Sequence, residues 1–529
     1  METLLLVLAL MTGAVFVVAI GERATLPWPA LMVLLGFVVT LTPGLPDELR
    51  IDPALILPLF LPPMLFATAQ RTTWAQCRAR WRSLLGLAVL LVIATATAAA
   101  AVAWWLTPGM GFATAMLLGA LVSPPDPVAV EAVAGPLGIP RRVLATLQTE
   151  GLFNDATAIV LFHLALSATL SDTDFDVVRA VVTFVVSAAA AVAIGVALAY
   201  AARLLLRVVT STAGAGGLSL VLPFVVYVVA EEVHASGVVA VVAAALQFRE
   251  TRAADASTQR LSHRALWDVV ELLVTGVAFG LIGLEMRRVF TDAGERLPAM
   301  LGVATAVAAT TVVVRFAWLF TASRVIIARG ARGAAPRTGR EAVAMSWCGM
   351  RGLATLALAL SLPVTTNGQS WFPYRDEIVL TAATVILVTL VLAGLSLPRV
   401  LLRLGVTRDA AEERVAEKKV RRLAHAAALA ELDLVRRDIG EELPPAVAQA
   451  AGKLLDRIAD SLTGDPADEL SRAERERLRH KRRLMTTVNA RILAAARQAV
   501  IDARRDPTID PEAAERILER LDLRTALGD

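Results

Sequence analysis

The chain has 529 residues, of which 56% are hydrophobic and 19% charged, with a formal net charge of +4. A soluble protein of this length would spread its charges over the surfaces of several domains. Here the charges lie between long apolar runs, so the composition excludes a soluble protein and predicts a polytopic membrane protein. We therefore expect membrane lipid as a partner and no nucleic acid. Runs without Asp, Glu, Lys or Arg that are long enough to cross a bilayer include 3–20, 53–70, 83–116 and 378–398.

Apolar segments along the chain predict about thirteen membrane-spanning helices. The first span lacks the basic start and the small-residue cleavage site of a signal peptide, so we expect it to be retained. The eighth and ninth spans are short, and one broken helix is an alternative for them. In chain order the predicted spans are 3–20, 27–42, 53–70, 83–106, 111–134, 143–170, 177–206, 215–233, 235–248, 266–288, 297–328, 341–363 and 377–403.

The distribution of basic residues predicts how these spans are oriented, because cytoplasmic loops collect Lys and Arg. Arginines gather after spans 3, 5, 7, 9 and 11, whereas the loop after span 6 carries three aspartates. We therefore expect a plasma (inner) membrane protein with its N-terminus outside. The sequence becomes rich in Glu, Arg, Ala and Leu near its end, which predicts a transmembrane domain of residues 1–403 and a helical cytoplasmic domain of residues 404–529.

Two of the predicted spans are interrupted near their middle. Span 5 contains Ser123-Pro124-Pro125-Asp126-Pro127, and each proline removes a backbone donor and clashes with the preceding turn. Span 12 contains Gly349 and Gly352 on either side of Met350-Arg351. Paired interruptions are typical of inverted-repeat transporters with a site near the membrane midplane. The alternative is that the prolines only kink one helix and the glycines only permit close packing.

Span 6 carries three polar side chains in an otherwise apolar segment, Glu150, Asn154 and Asp155. Glu150 and Asn154 are four residues apart and share a helix face, whereas Asp155 lies about 100° further round. A guanidinium at this depth needs a carboxylate, so we predict that Arg351 pairs with Glu150 and ties span 6 to span 12. Asp155 then stays available to bind a proton or a cation. The alternative is that Asp155 caps a helix or forms a hydrogen bond inside the bundle.

Several segments of residues 1–403 resemble the monovalent cation:proton antiporter family 1, which includes bacterial NhaP proteins and animal sodium–proton exchangers. The resemblance is specific because several motifs occur in the family's order. They are Ser123 to Phe162 with Pro140-Arg141-Arg142 inside it, Ala230 to Gly237, Phe279 to Leu284, and Met350 to Ala354.

The resemblance implies an all-α transporter, not an enzyme, that works as a homodimer by elevator-like alternating access and serves pH homeostasis. It implies Na⁺ and H⁺ as cargo and no cofactor. Asn at position 154 is similar to the electroneutral branch of the family. The implied site residues are Asp155 as carrier, Asp126 beside it as a second Na⁺ contact, Asn154 and Ser123 as further ion-site residues, and Glu150 with Arg351 as a structural ion pair.

Two positions depart from the family pattern. Ala67 follows the run Pro62 to Phe66, where many bacterial members have an acidic residue, and Gly151 stands where the family often has Ser. Water, a backbone carbonyl or Thr68 would then complete the oxygen ligands, and the preference among Na⁺, K⁺ and Li⁺ stays open. Besides a Na⁺/H⁺ antiporter, the alternatives are a K⁺-preferring K⁺/H⁺ antiporter, a cation channel and an intramembrane enzyme.

Overall fold

A computed structural model describes residues 2–24, 28–40, 53–72, 74–79, 81–126, 140–171, 177–209, 211–251, 257–328, 336–363, 365–366 and 370–406, together with 426, 430 and 434. The chain divides into two compact units, Met1–Arg408 and Asp409–Asp529. Nearly all of the predicted tail, residues 404–529, lies outside the described residues. Its helical character and the boundary at residue 404 therefore stay predictions.

The described residues are almost entirely helical, which confirms the all-α prediction. The exceptions include two short antiparallel strands, β1 (Thr365–Thr366) and β2 (Ser370–Trp371), which pair Thr365 with Trp371. The helices are α1 (Glu2–Ala24), α2 (Trp28–Val39), α3 (Pro53–Ala69), α4 (Trp74–Ala79), α5 (Trp81–Leu84), α6 (Leu91–Leu106), α7 (Phe112–Val122), α8 (Arg141–Ser171), α9 (Val177–Leu206), α10 (Thr212–Glu232), α11 (Gly237–Thr251), α12 (Ser257–Ala293), α13 (Leu297–Ala328), α14 (Gly339–Trp347), α15 (Leu353–Leu360) and α16 (Arg375–Leu404). A π-helical segment, Leu85–Leu90, joins α5 to α6.

The apolar helices confirm a polytopic membrane protein. Only 22% of the most apolar part of Val185–Leu206 is buried in protein, against 67% for Arg375–Leu404, so α9 lies at the surface of the helical bundle and α16 inside it. Five shorter apolar helices accompany the long ones in the part of the chain that the structure describes, and the count of thirteen spans stays a prediction. Within the described ranges, seven segments are long and apolar enough to cross a bilayer: Trp81–Leu106, Val143–Leu170, Val185–Leu206, Ala213–Glu232, Ser262–Thr291, Gly294–Val325 and Arg375–Leu404.

The helices pack as two bundles. The site bundle consists of α6, α7, α8, α13, α14, α15 and α16, and the scaffold bundle of α1, α2, α3, α9, α10, α11 and α12. Helix α15 also packs against α3 and α12, so it lies at the boundary between the bundles. An ion pair crosses the same boundary, where Arg375 Nη1 of α16 lies 3.2 Å from Glu285 Oε1 of α12.

The structure confirms an interruption in both of the spans where one is predicted. Helix α7 ends at Val122, and Ser123 to Asp126 are not helical, as consecutive prolines require. Span 12 is split into α14 and α15, with residues 348–352 between them. The second half of span 5, residues 127–139, lies outside the described residues. Spans 8 and 9 are separate helices, α10 and α11.

Candidate functional site

The two interruptions contact each other through Asp126. Its backbone N–H donates to the carbonyl of Met350 over 2.7 Å, and its Oδ2 accepts from the backbone N–H of Leu353 over 3.0 Å. The carboxylate thus caps a free N–H at the start of α15, where the positive end of the helix dipole favours a negative group. Asp126 therefore fastens the first interrupted helix to the second.

Replacing Gly352 tests how tightly this crossing is packed. A Cβ at Gly352 would overlap Oδ2 of Asp126, so we expect Gly352→Ala to push the two interruptions apart. Overpacking of this kind costs about 1–3 kcal/mol, which thermal unfolding in detergent would show as a lower Tm. Gly302→Ala is the control, because a Cβ at that position of α13 meets nothing within 4 Å. Equal Tm values for the two variants would contradict the close contact.

Arg351 binds a backbone carbonyl at the C-terminal end of α7, the first interrupted helix. Its guanidinium donates from Nη1 to the carbonyl of Ser123, and its backbone N–H donates to Thr389 Oγ1 over 3.0 Å. The last carbonyls of a helix have no partner within it and carry a partial negative charge. The positive charge of Arg351 is therefore compensated in part by the end of α7.

Asn154 contacts the same interruption from α8. Its Nδ2 donates to the carbonyl of Pro125 over 2.7 Å, and the residue is fully buried. The amide therefore supplies a hydrogen bond to a backbone carbonyl that the broken helix leaves without a helical partner. This contact gives Asn154 a positioning role beside Asp155.

Glu150 pairs with Arg315 of α13, so the predicted ion pair with Arg351 is wrong. Nη1 of Arg315 lies 2.6 Å from Oε1 of Glu150, and Nη2 lies 3.1 Å from Oε2. The side chains of Arg315 and Glu150 are 3% and 1% exposed. This two-pronged geometry is the strong form of an Arg–carboxylate contact. It ties α8 to α13 instead of to span 12.

Glu150 pairs with Arg315 and not with Arg351 because of how the helices pack, and the sequence does not predict that packing. Helix α13 packs on both α6 and α14, and Arg315 Nε donates to the carbonyl of Met345 in α14 over 3.3 Å. Gly349 leaves room for this guanidinium, since a Cβ there would lie 2.6 Å from Arg315 Nε. One signal was present in the sequence, because Arg315 is also a basic residue inside an apolar span and also requires a counter-charge.

Asp155 lies in a cavity at the boundary between the two bundles. The cavity volume is about 30 Å³, enough for a water molecule or a small cation. Asp155 is 8% exposed, and within the described residues no donor hydrogen-bonds to its carboxylate. The lining residues are Leu61, Met64, Leu65 and Thr68 of α3, Pro124, Pro125 and Asp126, Gly151 and Asp155 of α8, Gly352, and Leu353 and Ala354 of α15.

The structure brings two of the predicted ion-site residues together and keeps two apart from the cavity. Asp155 and Asp126 both line it, whereas Ser123 and Asn154 do not. The Ser123 hydroxyl donates to the carbonyl of Ala120 over 2.8 Å. The ion-binding roles of all four residues stay predictions, but the geometry gives Asn154 a bond to the backbone of the interruption.

Comparison with known proteins gives matches over nearly the whole chain. Residues 7–403 match the family model described as sodium/hydrogen exchanger, transmembrane. A protein of Mycobacterium tuberculosis (strain H37Rv), described as an uncharacterised Na⁺/H⁺ exchanger, is 31% identical over 97% of both chains. The Na⁺/H⁺ antiporter of Aphanothece halophytica is 27% identical over 82% of this chain and 81% of that protein.

Another relative has a broader name. The sodium, potassium, lithium and rubidium/H⁺ antiporter of Bacillus subtilis is 29% identical over 75% of this chain and 61% of its own length. Among solved structures, the sodium proton antiporter of Methanocaldococcus jannaschii at pH 8 superposes with a TM-score of 0.59, covering 76% of this chain and 99% of that one. At 17% sequence identity, this likeness shows a common fold.

Proposed function

The chain belongs to the sodium/hydrogen exchanger family, and on that premise we propose that it is a secondary active antiporter that exchanges Na⁺ for H⁺ with Asp155 as the carrier. The state of Asp155 is the observation that carries this proposal. Glu150 is held by Arg315, and Asp126 caps α15. Asp155 is buried in the cavity and accepts no hydrogen bond from any described residue.

The chemistry follows from the charge of a buried carboxylate. A buried charge is costly unless a partner compensates it, and Asp155 has two possible partners, a proton or a monovalent cation. A proton on the carboxylate removes the charge that attracts the cation, so the two cargoes compete for the same oxygens. One carboxylate that trades one proton for one cation moves no net charge, which makes the exchange electroneutral.

Alternating access is supported by the position of the cavity between the bundles. Its walls come from α3 of the scaffold bundle and from α8, α15 and the first interruption of the site bundle. A movement of the site bundle along α3 would carry Asp155 from one side of the membrane to the other. Such an elevator-like motion must break the boundary ion pair between Glu285 and Arg375.

The remaining features of the proposal come from the family and from the distribution of charge. The protein lies in the plasma (inner) membrane in contact with lipid, with its N-terminus outside and the tail of residues 404–529 in the cytoplasm. It works as a homodimer, binds no nucleic acid, needs no cofactor and catalyses no covalent reaction. Na⁺ is the favoured cargo because relatives are named Na⁺/H⁺ exchangers or antiporters.

Proton flux in proteoliposomes tests the function directly. In vesicles with an acidic interior, we expect external NaCl to dissipate the pH gradient reported by a fluorescent dye, and KCl to do so less effectively. Protein-free vesicles are the control. A valinomycin clamp of the membrane potential should leave the rate unchanged if the exchange is electroneutral. Na⁺ flux without proton counterflow would indicate a channel, and a stronger response to KCl than to NaCl would indicate a K⁺/H⁺ antiporter.

A further inference from the structure

The two walls of the Asp155 cavity differ in chemistry. The site bundle contributes two carboxylates, Asp126 and Asp155, together with the backbone of the interruptions. Helix α3 contributes three apolar side chains and one hydroxyl, that of Thr68. Among the described residues of the scaffold bundle, Thr68 is therefore the one polar side chain that lines this cavity.

The Thr68 hydroxyl uses its proton within α3 and keeps the lone pairs of its oxygen for a ligand role. Oγ1 donates its proton to the carbonyl of Met64 over 2.9 Å, so the oxygen lone pairs point away from that bond. The residue is 8% exposed, and the branched side chain has few rotamers. Alkali cations bind to oxygen lone pairs, and their selection depends on the number of ligands and the size of the site.

The neighbouring carboxylate leaves ligand positions to be filled. Oδ2 of Asp126 already accepts the N–H of Leu353, so this oxygen is engaged in holding the crossing. Asp155 alone supplies two oxygens, fewer than a small, strongly hydrated cation needs when it loses water. Met64, whose Sδ accepts a bond from Thr275 Oγ1 over 3.3 Å, offers a thioether that is a poor ligand for a hard cation.

We propose that Thr68 Oγ1 is a ligand of the transported cation and sets the preference for smaller cations, an inference that rests on the proposed exchange function. Thr68 and Asp155 belong to different bundles, so the cation bridges the scaffold bundle and the site bundle. A ligand present on only one side of a moving boundary binds the cation differently in the two states, which is what shifts a conformational equilibrium.

The test compares isosteric variants in the full-length protein. Thr68→Val removes the hydroxyl and keeps the shape, Thr68→Ser keeps the hydroxyl, and Thr68→Ala serves as a second deletion. Thr95→Val is the matched control, because Thr95 is also buried and also donates to the carbonyl four residues earlier, at 2.7 Å, but does not line the cavity. Two measurements are made with each variant: the rise in Tm with added NaCl, LiCl or KCl in detergent, and the cation concentration that half-saturates exchange.

We expect Thr68→Val and Thr68→Ala to raise the half-saturating concentrations of Na⁺ and Li⁺ about tenfold, equivalent to about 1.4 kcal/mol of binding free energy. The value for K⁺ should rise less, because a larger cation depends less on each ligand. Thr68→Ser and Thr95→Val should remain close to the wild type. The proposal would be overturned if Thr68→Val and Thr68→Ala both kept the wild-type half-saturating concentrations of Na⁺, Li⁺ and K⁺.

The two measurements also separate this inference from the function on which it rests. If Na⁺ raises the Tm of the wild type but not of Thr68→Val, Thr68 is a ligand whatever the transport assay shows. If wild-type vesicles exchange Na⁺ for H⁺ while the Thr68 deletions bind and exchange Na⁺ normally, only the Thr68 proposal fails. If Na⁺ neither stabilises nor is exchanged by the wild type, both fail.

Discussion

Asp155→Asn is expected to abolish Na⁺/H⁺ exchange while leaving the protein folded. An amide of nearly the same shape cannot release a proton at any working pH, and it carries no charge for a cation to balance. No described residue donates a hydrogen bond to the Asp155 carboxylate, so the substitution strands no partner. Removing an uncompensated buried charge should keep the Tm at the wild-type value or raise it.

The measurement pairs transport with stability. NaCl-induced dissipation of a pH gradient by Asp155→Asn should fall to the level of protein-free vesicles, and the elution profile and Tm should match those of the wild type. Asp268→Asn is the control, since this carboxylate lies in the scaffold bundle, 3.5 Å from Arg71, with its side chain 58% exposed. Exchange by Asp155→Asn at a rate comparable to that of Asp268→Asn would remove Asp155 as the carrier.

The sequence predicts the parts of this site that depend on local chemistry. Prolines at positions 124 and 125 cannot continue a helix, and the structure ends α7 at Val122. Asp155 stands out because a carboxylate inside an apolar span is costly, and the structure places it in a cavity. Both inferences require only the properties of a residue and of its immediate neighbours along the chain.

Partner choice between helices could not be predicted in the same way. Arg351 and Arg315 each require compensation, and the sequence offers Glu150 to both. In the structure Arg315 of α13, which also packs on α14, is the direct partner of Glu150, and the carbonyl of Ser123 compensates the charge of Arg351 in part. A helix end can replace a carboxylate as the partner of a guanidinium, and that possibility depends on where the interrupted helix stops in space.

The sequence predicts the helix face on which Asn154 lies but not the group that it binds. Its position four residues after Glu150 predicted a shared helix face, but both residues could have faced the ion. In the structure the amide binds the carbonyl of Pro125. Asn154 and Arg351 therefore both bind carbonyls of the interrupted backbone beside Asp155.

Breaking the Glu150–Arg315 pair should cause a large loss of stability. Both side chains are almost fully buried, so Glu150→Gln leaves a guanidinium without its counter-charge, and Arg315→Met leaves a carboxylate. Removing one partner of a buried pair costs about 3–5 kcal/mol, which thermal unfolding in detergent should show as a large fall in Tm for either variant. The partly exposed pair of Glu285 and Arg375, with side chains 22% and 12% exposed, is the comparison, and Glu285→Gln should cost much less.

A double-mutant cycle distinguishes the observed partner from the one suggested by the sequence. Residues in direct contact show non-additive effects, whereas residues without a shared contact add nearly independently. Glu150→Gln with Arg315→Met should therefore lose clearly less stability than the sum of the single variants, because neither charge is stranded. Glu150→Gln with Arg351→Met should show a smaller coupling, since the two charges interact electrostatically but Arg351 binds the Ser123 carbonyl and makes no direct contact with Glu150. A larger coupling of Glu150 to Arg351 than to Arg315 would mean that the guanidinium of span 12, not that of α13, holds α8 in place.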